Sequence, residues 1–263
     1  MAAPAFIELG GKRHATRIPI LFEDRSAIVV DKPAGWMLIP FSWQATQRNL
    51  QAAITSSIAA GDYWARSRNL KFLRAAHRLD ADTTGILLLA KSLGAVDAYG
   101  DLFESRQMSK RYLAVVDSVP ARQAWSCRAR LGPVPGQPGR MMVDPRQGKE
   151  AETEFQVLQV RGSMSLIEAR PLTGRTHQIR LHLLEAGCPI VGDSLYGTQA
   201  RHPKPGRSRQ LDPFPLGLRA VSLEYRDPFQ RKPVCVRAPA NEFLSAFGFE
   251  SEDPPQSRGS RAG

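Results

Sequence analysis

Residues 76–92 read AHRLDADTTGILLLAKS, and this stretch decides the fold. From Gly85 to Ala90 small and apolar residues follow one another without alternation, the pattern of a strand covered on both faces. Immediately before it stand His77, Arg78, Asp80 and Asp82. Charged groups at the mouth of a buried strand are well placed for function, since a rigid neighbour holds them. A turn acid capping its own loop explains Asp80 equally well. Alternate residues of a strand share a face, so Asp80 and Asp82 could also form a paired acid and base for hydrolysis.

Working outward, short apolar runs at Ile18–Phe22, Ala27–Val30, Tyr112–Val116, Phe155–Val160 and Ser165–Ala169 are punctuated by Gly, Pro, Asp or Lys and read as strands. Helical periodicity is better over Leu50–Ala60, Leu93–Glu104 and His177–Ala186, the last opened by Thr176 as a candidate cap and closed by Gly187. The whole reads as α+β with a mixed, largely antiparallel sheet.

A second polar block, RPLTGRTHQIRLHLLEAGCPIVGDSLY, occupies residues 170–196. Arg175 and His177 fall at a helix amino end, where backbone donors gather and an anion such as phosphate could be received. His182 is out of step with the i+4 spacing that would pair it with His177 on a metal, and no third ligand suggests itself, so no metal is expected. His77, His177 and His182 are expected to be structural or to face a nucleic acid. Residues 201–210 carry Arg201, Lys204, Arg207 and Arg209 among prolines and glycine, a basic surface loop that is either solvated or in contact with RNA.

Composition bounds the rest. A chain of 263 residues, 42% hydrophobic and 23% charged, can build a substantial core in one large domain or two. With 36 Lys and Arg against 25 Asp and Glu, a net charge of +11 and a pI near 10.1, it suits a polyanionic partner. Neither a phosphate-binding P-loop nor a dinucleotide glycine fingerprint is present, so phosphoryl and hydride transfer have no support. Three scattered cysteines, Cys127, Cys188 and Cys235, fit neither a disulfide framework nor a zinc cluster and point to a reducing cytoplasm. No secretory leader or membrane-spanning apolar run is evident. Residues 1–15 and 249–263 look loose, and no linker interrupts the chain between them, which suggests one domain over 16–248.

Five segments, taken in order, resemble the RluA family of RNA pseudouridine synthases: ILFEDRSAIVVDKPAG at 20–35, HRLDADTTG at 77–85, KRYLAVV at 110–116, GKEAETEFQVL at 148–158 and RPLTGRTHQIRLHLLEAGCPIVGDSLYG at 170–197. The likeness covers roughly residues 18–240. It implies a pseudouridine synthase catalytic domain whose sheet is divided by an RNA-binding cleft. By position it also implies Asp80 as catalytic carboxylate, Tyr112 as the aromatic beside the target base and Arg180 as the basic partner of the carboxylate. Arg78 resembles the residue that displaces the target nucleotide, with Leu79 filling the vacated stack, and Lys110, Arg175 and His177 would contact RNA. Thr84, Ile39 and Arg219 stand where the family more often has Ser, His and His. The pattern starts near residue 18, so no S4-type module is expected ahead of it.

The implied reaction breaks the N1–C1′ bond of a uridine, turns the base and joins C5 to C1′ without loss of atoms. It asks for no cofactor and no metal. It needs an ionised carboxylate in an enclosed pocket, and a guanidinium such as that of Arg180 is the natural counter-ion. The implied substrates are ribosomal or transfer RNA, with a monomer as the default state. Two other classes remain open at this level: an RNA binder without catalysis, and a hydrolase of glycosidic bonds using Asp80 and Asp82.

Overall fold

The computed structural model describes residues 5–10, 15–38, 48–197 and 213–250. The basic loop 201–210 and Ile39 lie outside the described residues. The chain is α+β. Eleven strands form one sheet: β1 (Phe6–Leu9), β2 (Thr16–Glu23), β3 (Ala27–Lys32), β4 (Arg74–Ala75), β5 (Thr84–Ala90), β6 (Ser109–Val116), β7 (Ala124–Cys127), β10 (Thr153–Arg161), β11 (Met164–Pro171), β12 (Leu218–Arg226) and β13 (Pro233–Arg237). β8 (Leu131–Pro133) and β9 (Met141–Val143) make a separate hairpin. The helices are α1 (Leu50–Ala59), α2 (Tyr63–Arg66), α3 (Leu93–Glu104), α4 (Gln178–Glu185) and α5 (Asn241–Ala246).

Along the sheet the order is β1-β2-β3-β5-β12-β6-β11-β10-β7. Every pairing is antiparallel except one. β5 and β12 run parallel and meet at only two positions, Arg219 beside Thr84 and Ala220 beside Gly85. Beyond them each strand takes another neighbour on that edge: β4 joins β5 at Leu89 and Ala90, and β13 joins β12 from Ser222 onward. The sheet is thus two antiparallel halves joined by a narrow parallel seam.

The seam explains a glycine. Gly85 has φ +105°, and a Cβ built there would lie 2.1 Å from the carbonyl oxygen of Ala220. Only a residue without a side chain permits so close a strand approach and that backbone shape. β5 itself is buried at every position, as its unalternating apolar run requires.

The core divides as the sheet does. One cluster joins β1–β5 with α1–α3, through residues such as Ile28, Leu87, Leu88, Ile54 and Trp64. Another joins β6, β10 and β11 to α4 through Ile167, Ala169, Ile179 and Leu183. Asn49 and Ser92 cap α1 and α3 by accepting from the backbone amides of Ala52 and Ala95.

Several expectations need correcting. Phe6–Leu9, inside the segment expected to be loose, pairs with β2 from Phe6↔Pro19 to Leu9↔Thr16 and buries Ile7 and Leu9. Thr176 does not cap α4: the cap position is His177, in left-handed conformation at φ 56° and ψ 21°, and the helix begins at Gln178. The Gln178 side chain instead ties the start of α4 to the turn before it and to β10, accepting from Thr173 Oγ1 and the Arg175 amide and donating to Glu152 O and Thr153 Oγ1. Asp80 and Asp82 are not on a strand, since β5 starts at Thr84, so they share no strand face.

Candidate active site

The segment from Ala76 to Thr83 runs from β4 back to the start of β5. His77 fixes its beginning, its Nε2 accepting the Leu88 amide at 3.0 Å while its ring lies 4.6 Å from that of Phe103. Desolvation pushes this imidazole down to about 3, so it is neutral and structural. Lys32 fixes the end. It is fully buried at the end of β3, and its Nζ donates to Ala81 O at 2.7 Å and Pro33 O at 2.9 Å. The Gly35 amide also donates to Ala81 O. Burial pushes the Lys32 ammonium down to about 7, with Asp82 and Asp80 pulling the other way.

Held between these ties, Asp80 meets Arg180 from α4. Arg180 Nη1 donates to Asp80 Oδ2 at 2.9 Å. The rest of the guanidinium is gripped by Asp193, with Nε to Oδ2 at 2.7 Å and Nη2 to Oδ1 at 2.8 Å, a bidentate pair among groups 6% and 2% exposed. Asp193 in turn accepts the amides of Leu195 and Tyr196. Burial alone would raise the Asp193 carboxyl, but Arg180 and those amides bring it below the usual carboxylate range. Burial likewise opposes the Arg180 charge, and its two carboxylate partners more than offset that, raising it above its ordinary value.

A pocket of about 390 Å³ opens over this pair. Its lining includes Arg78, Asp80, Phe103, Lys110, Tyr112, Arg175 and His177, which brings together most of the residues singled out in the sequence. Burial and the neighbouring Asp80 raise the Tyr112 hydroxyl above its ordinary value, so it stays protonated beside the carboxylate. Lys110 Nζ donates to Thr173 O at 3.2 Å, and burial pushes it down to about 8. Arg175 is exposed and donates to Glu150 O. Arg78 is exposed at the mouth, whereas Leu79 is 7% exposed, packed in the first core cluster and at the same time part of the pocket lining.

His177 Nδ1 lies 2.8 Å from the Tyr196 hydroxyl, and its Nε2 is 3.8 Å from Asp80 Oδ1. His182 is enclosed between Thr153 Oγ1 and Ala129 O, a structural position. Asp82 shares a smaller pocket with Asp80, Arg78 and Leu195 and takes no part in the Arg180 pair. Sequence reasoning passed over Asp193, Tyr196 and Lys32. The first two sit in the quoted GDSLYG run. Lys32 could have been noticed as a cation ending the apolar run AIVVDK.

Residues 26–185 match the family model described as RNA pseudouridylate synthase. The chain belongs to that family. It is 33% identical over 231 residues to ribosomal large subunit pseudouridine synthase D of Xylella fastidiosa, covering 86% of this chain and 67% of the relative. With the human pseudouridylate synthase RPUSD2 it shares 35% identity over 193 residues, 73% of this chain but 33% of the relative. With an uncharacterised RNA pseudouridine synthase of Zymomonas mobilis it shares 32% over 233 residues, 88% and 97% of the two chains. The chain therefore spans from one third to nearly all of the length of these relatives. Among solved structures, human RNA pseudouridylate synthase domain containing 1 aligns with a TM-score of 0.62 at 26% identity, covering 84% of this chain and 83% of that one. The human domain-containing 4 protein aligns with a TM-score of 0.67 at 24% identity, over 84% and 87%, a likeness of fold.

Among the described residues no helix is long and apolar enough to cross a membrane, and no three or more His, Cys, Asp or Glu side chains are grouped to hold a metal ion.

Proposed function

We propose that this chain converts uridine to pseudouridine in RNA, with Asp80 as the catalytic carboxylate. The observation that carries the reading is the Asp80–Arg180–Asp193 chain at the floor of a pocket lined by Tyr112, within a member of the RNA pseudouridylate synthase family. Asp193 holds two edges of the guanidinium, and Arg180 presents its remaining Nη1 to Asp80 Oδ2, so the reacting carboxylate meets an immobilised cation. During the isomerisation the N1–C1′ bond breaks and a C5–C1′ bond forms. The proton on C5 is lost and N1 gains one, so nothing leaves but exchangeable hydrogen. Asp80 acts at the sugar or the base, and the protonated Tyr112 lies against the uracil ring.

The pocket admits one nucleotide only if it leaves its stack, at a cost of a few kcal/mol. Arg78, exposed at the mouth, takes the vacated place, and the buried Leu79 supports it from below. Lys110, Arg175 and His177 line the same pocket, the first two serving the RNA backbone and the buried His177 lying beside Asp80. The names of two bacterial relatives, which are ribosomal large subunit enzymes, favour ribosomal over transfer RNA. The described cysteines are all free, which fits work in a reducing cytoplasm, and the reading needs only a monomer.

The hydrolase reading loses its basis because Asp80 is paired with Arg180 and Asp82 shares no strand face with it. The test is incubation of the purified chain with ribosomal or transfer RNA carrying tritium at C5 of uridine. Tritium release with the uridines retained in the polymer as pseudouridine is expected. Release of free uracil, or no tritium from either RNA, would overturn the reading.

A further inference from the structure

Four non-glycine residues among those described have positive φ: Asn69, Arg106, His177 and Arg231. Three are exposed, and His177 alone is buried. A left-handed backbone costs of order 1 kcal/mol for such a residue and persists where the surroundings dictate it, often at functional sites. Here it turns the imidazole between Tyr196 and Asp80.

The tautomer follows from hydrogen-bond arithmetic. The backbone amide of Met141 can only donate, and it donates to the Tyr196 hydroxyl oxygen at 2.9 Å. The 2.8 Å contact from that oxygen to His177 Nδ1 has two possible senses. If Nδ1 donated, the oxygen would accept twice, and the phenolic proton would find no acceptor among the described residues. If the hydroxyl donates, every group is satisfied and Nδ1 is bare. The proton of a neutral imidazole then sits on Nε2, which faces Asp80 Oδ1 at 3.8 Å. That oxygen has no hydrogen bond from any described residue, while Oδ2 already has Arg180.

We propose that Tyr196 fixes His177 as the neutral imidazole protonated on Nε2, and that this N–H is the second donor to the Asp80 carboxylate, engaging Oδ1 as Arg180 engages Oδ2. His177 is then a positioning residue, a role that rests on the assignment of Asp80 and is distinct from contact with the RNA backbone. The distance shortens by roughly 1 Å when a nucleotide fills the pocket, as catalytic hydrogen bonds often do on leaving the free state. Each carboxylate oxygen keeps another lone pair for the substrate. Burial disfavours the imidazolium, and the charged neighbours oppose one another, Asp80 and Asp193 against Arg180 and Arg78, leaving His177 below its ordinary value. The Tyr196 ring also lies under the Arg180 guanidinium at 5.1 Å, so one side chain supports both donors.

The test is nitrogen NMR of the full chain, free of RNA, with labelled imidazoles, the His177 signals being assigned by their loss in His177→Gln. The expected result at about pH 8 is a protonated Nε2 and a bare Nδ1. A protonated Nδ1 on the neutral imidazole would overturn the proposal. In turnover, Tyr196→Phe should lower kcat roughly 10-fold with KM within about 2-fold. His177→Gln, which keeps an N–H at that reach, should retain more kcat than His177→Ala. Wild-type kcat in Tyr196→Phe, or equal kcat in the Gln and Ala variants, would overturn the positioning role. The NMR reading needs no reaction, so it stands or falls separately from Asp80, whose own failure would show as activity in Asp80→Asn.

Discussion

Arg180 reaches Asp80 with one nitrogen because Asp193 already holds the other two. Removing Asp193 leaves a buried guanidinium with half its partners, and breaking a buried pair in this way costs about 3–5 kcal/mol. Asp193→Ala is therefore expected to lower the urea midpoint and to slow single-turnover pseudouridine formation roughly 10- to 100-fold, equivalent to about 1.4–2.8 kcal/mol on the barrier. An unchanged rate in a folded variant would show that Arg180 needs no such support. The stretch that held Asp193 was legible as a motif, and Asp80, Tyr112 and Arg180 were each placed through the resemblance. Asp193 was not, because its importance lies in a contact with a residue 13 positions away that no local pattern encodes.

Among the elements, the parallel contact of β5 with β12 decides how the two halves meet. Gly85→Ala would place a methyl 2.1 Å from Ala220 O on a backbone at φ +105°, and both strand and contact resist relief. The expected loss is at least roughly 3 kcal/mol, read as a lower urea midpoint, with activity lost alongside because Asp80 lies five residues upstream. Stability within about 0.5 kcal/mol of the parent would contradict this view of the seam. The buried strand β5 was plain from its unbroken apolar run. β12 was missed: its sequence LRAVSLEYR interrupts the apolar positions with Arg219, Ser222 and Glu224. Arg219 can be buried there because Asp31, at the end of β3, receives its Nη2 at 2.6 Å while Pro239 O accepts from its Nε and Nη2. β1 went unrecognised because four residues flanked by glycine carry too little periodicity to register alone.

For the whole molecule, the buried bases set how stability depends on pH. The folded state lowers Lys32 to about 7 and Lys110 to about 8, below the ~10.4 of an unfolded chain, so between those values the unfolded state binds more protons and stability rises with pH. His77, at about 3 against ~6.5 when unfolded, adds a rise across that lower range. Tyr112 and Tyr225 are raised, so the folded chain keeps their protons after the unfolded one has lost them, and stability falls above about pH 10. A urea midpoint that climbs from about pH 6 to 9 and drops beyond 10 is expected, and a flat profile would contradict this. Composition gives the net charge of +11 but not these buried bases, which tertiary contacts alone create. The central claim concerns one carboxylate, and the most direct measurement is single-turnover pseudouridine formation by Asp80→Asn on an RNA that the parent modifies. The rate should fall at least roughly 1,000-fold, about 4 kcal/mol on the barrier, with RNA affinity within about 3-fold of the parent. Pseudouridine formed at the parental rate would contradict it.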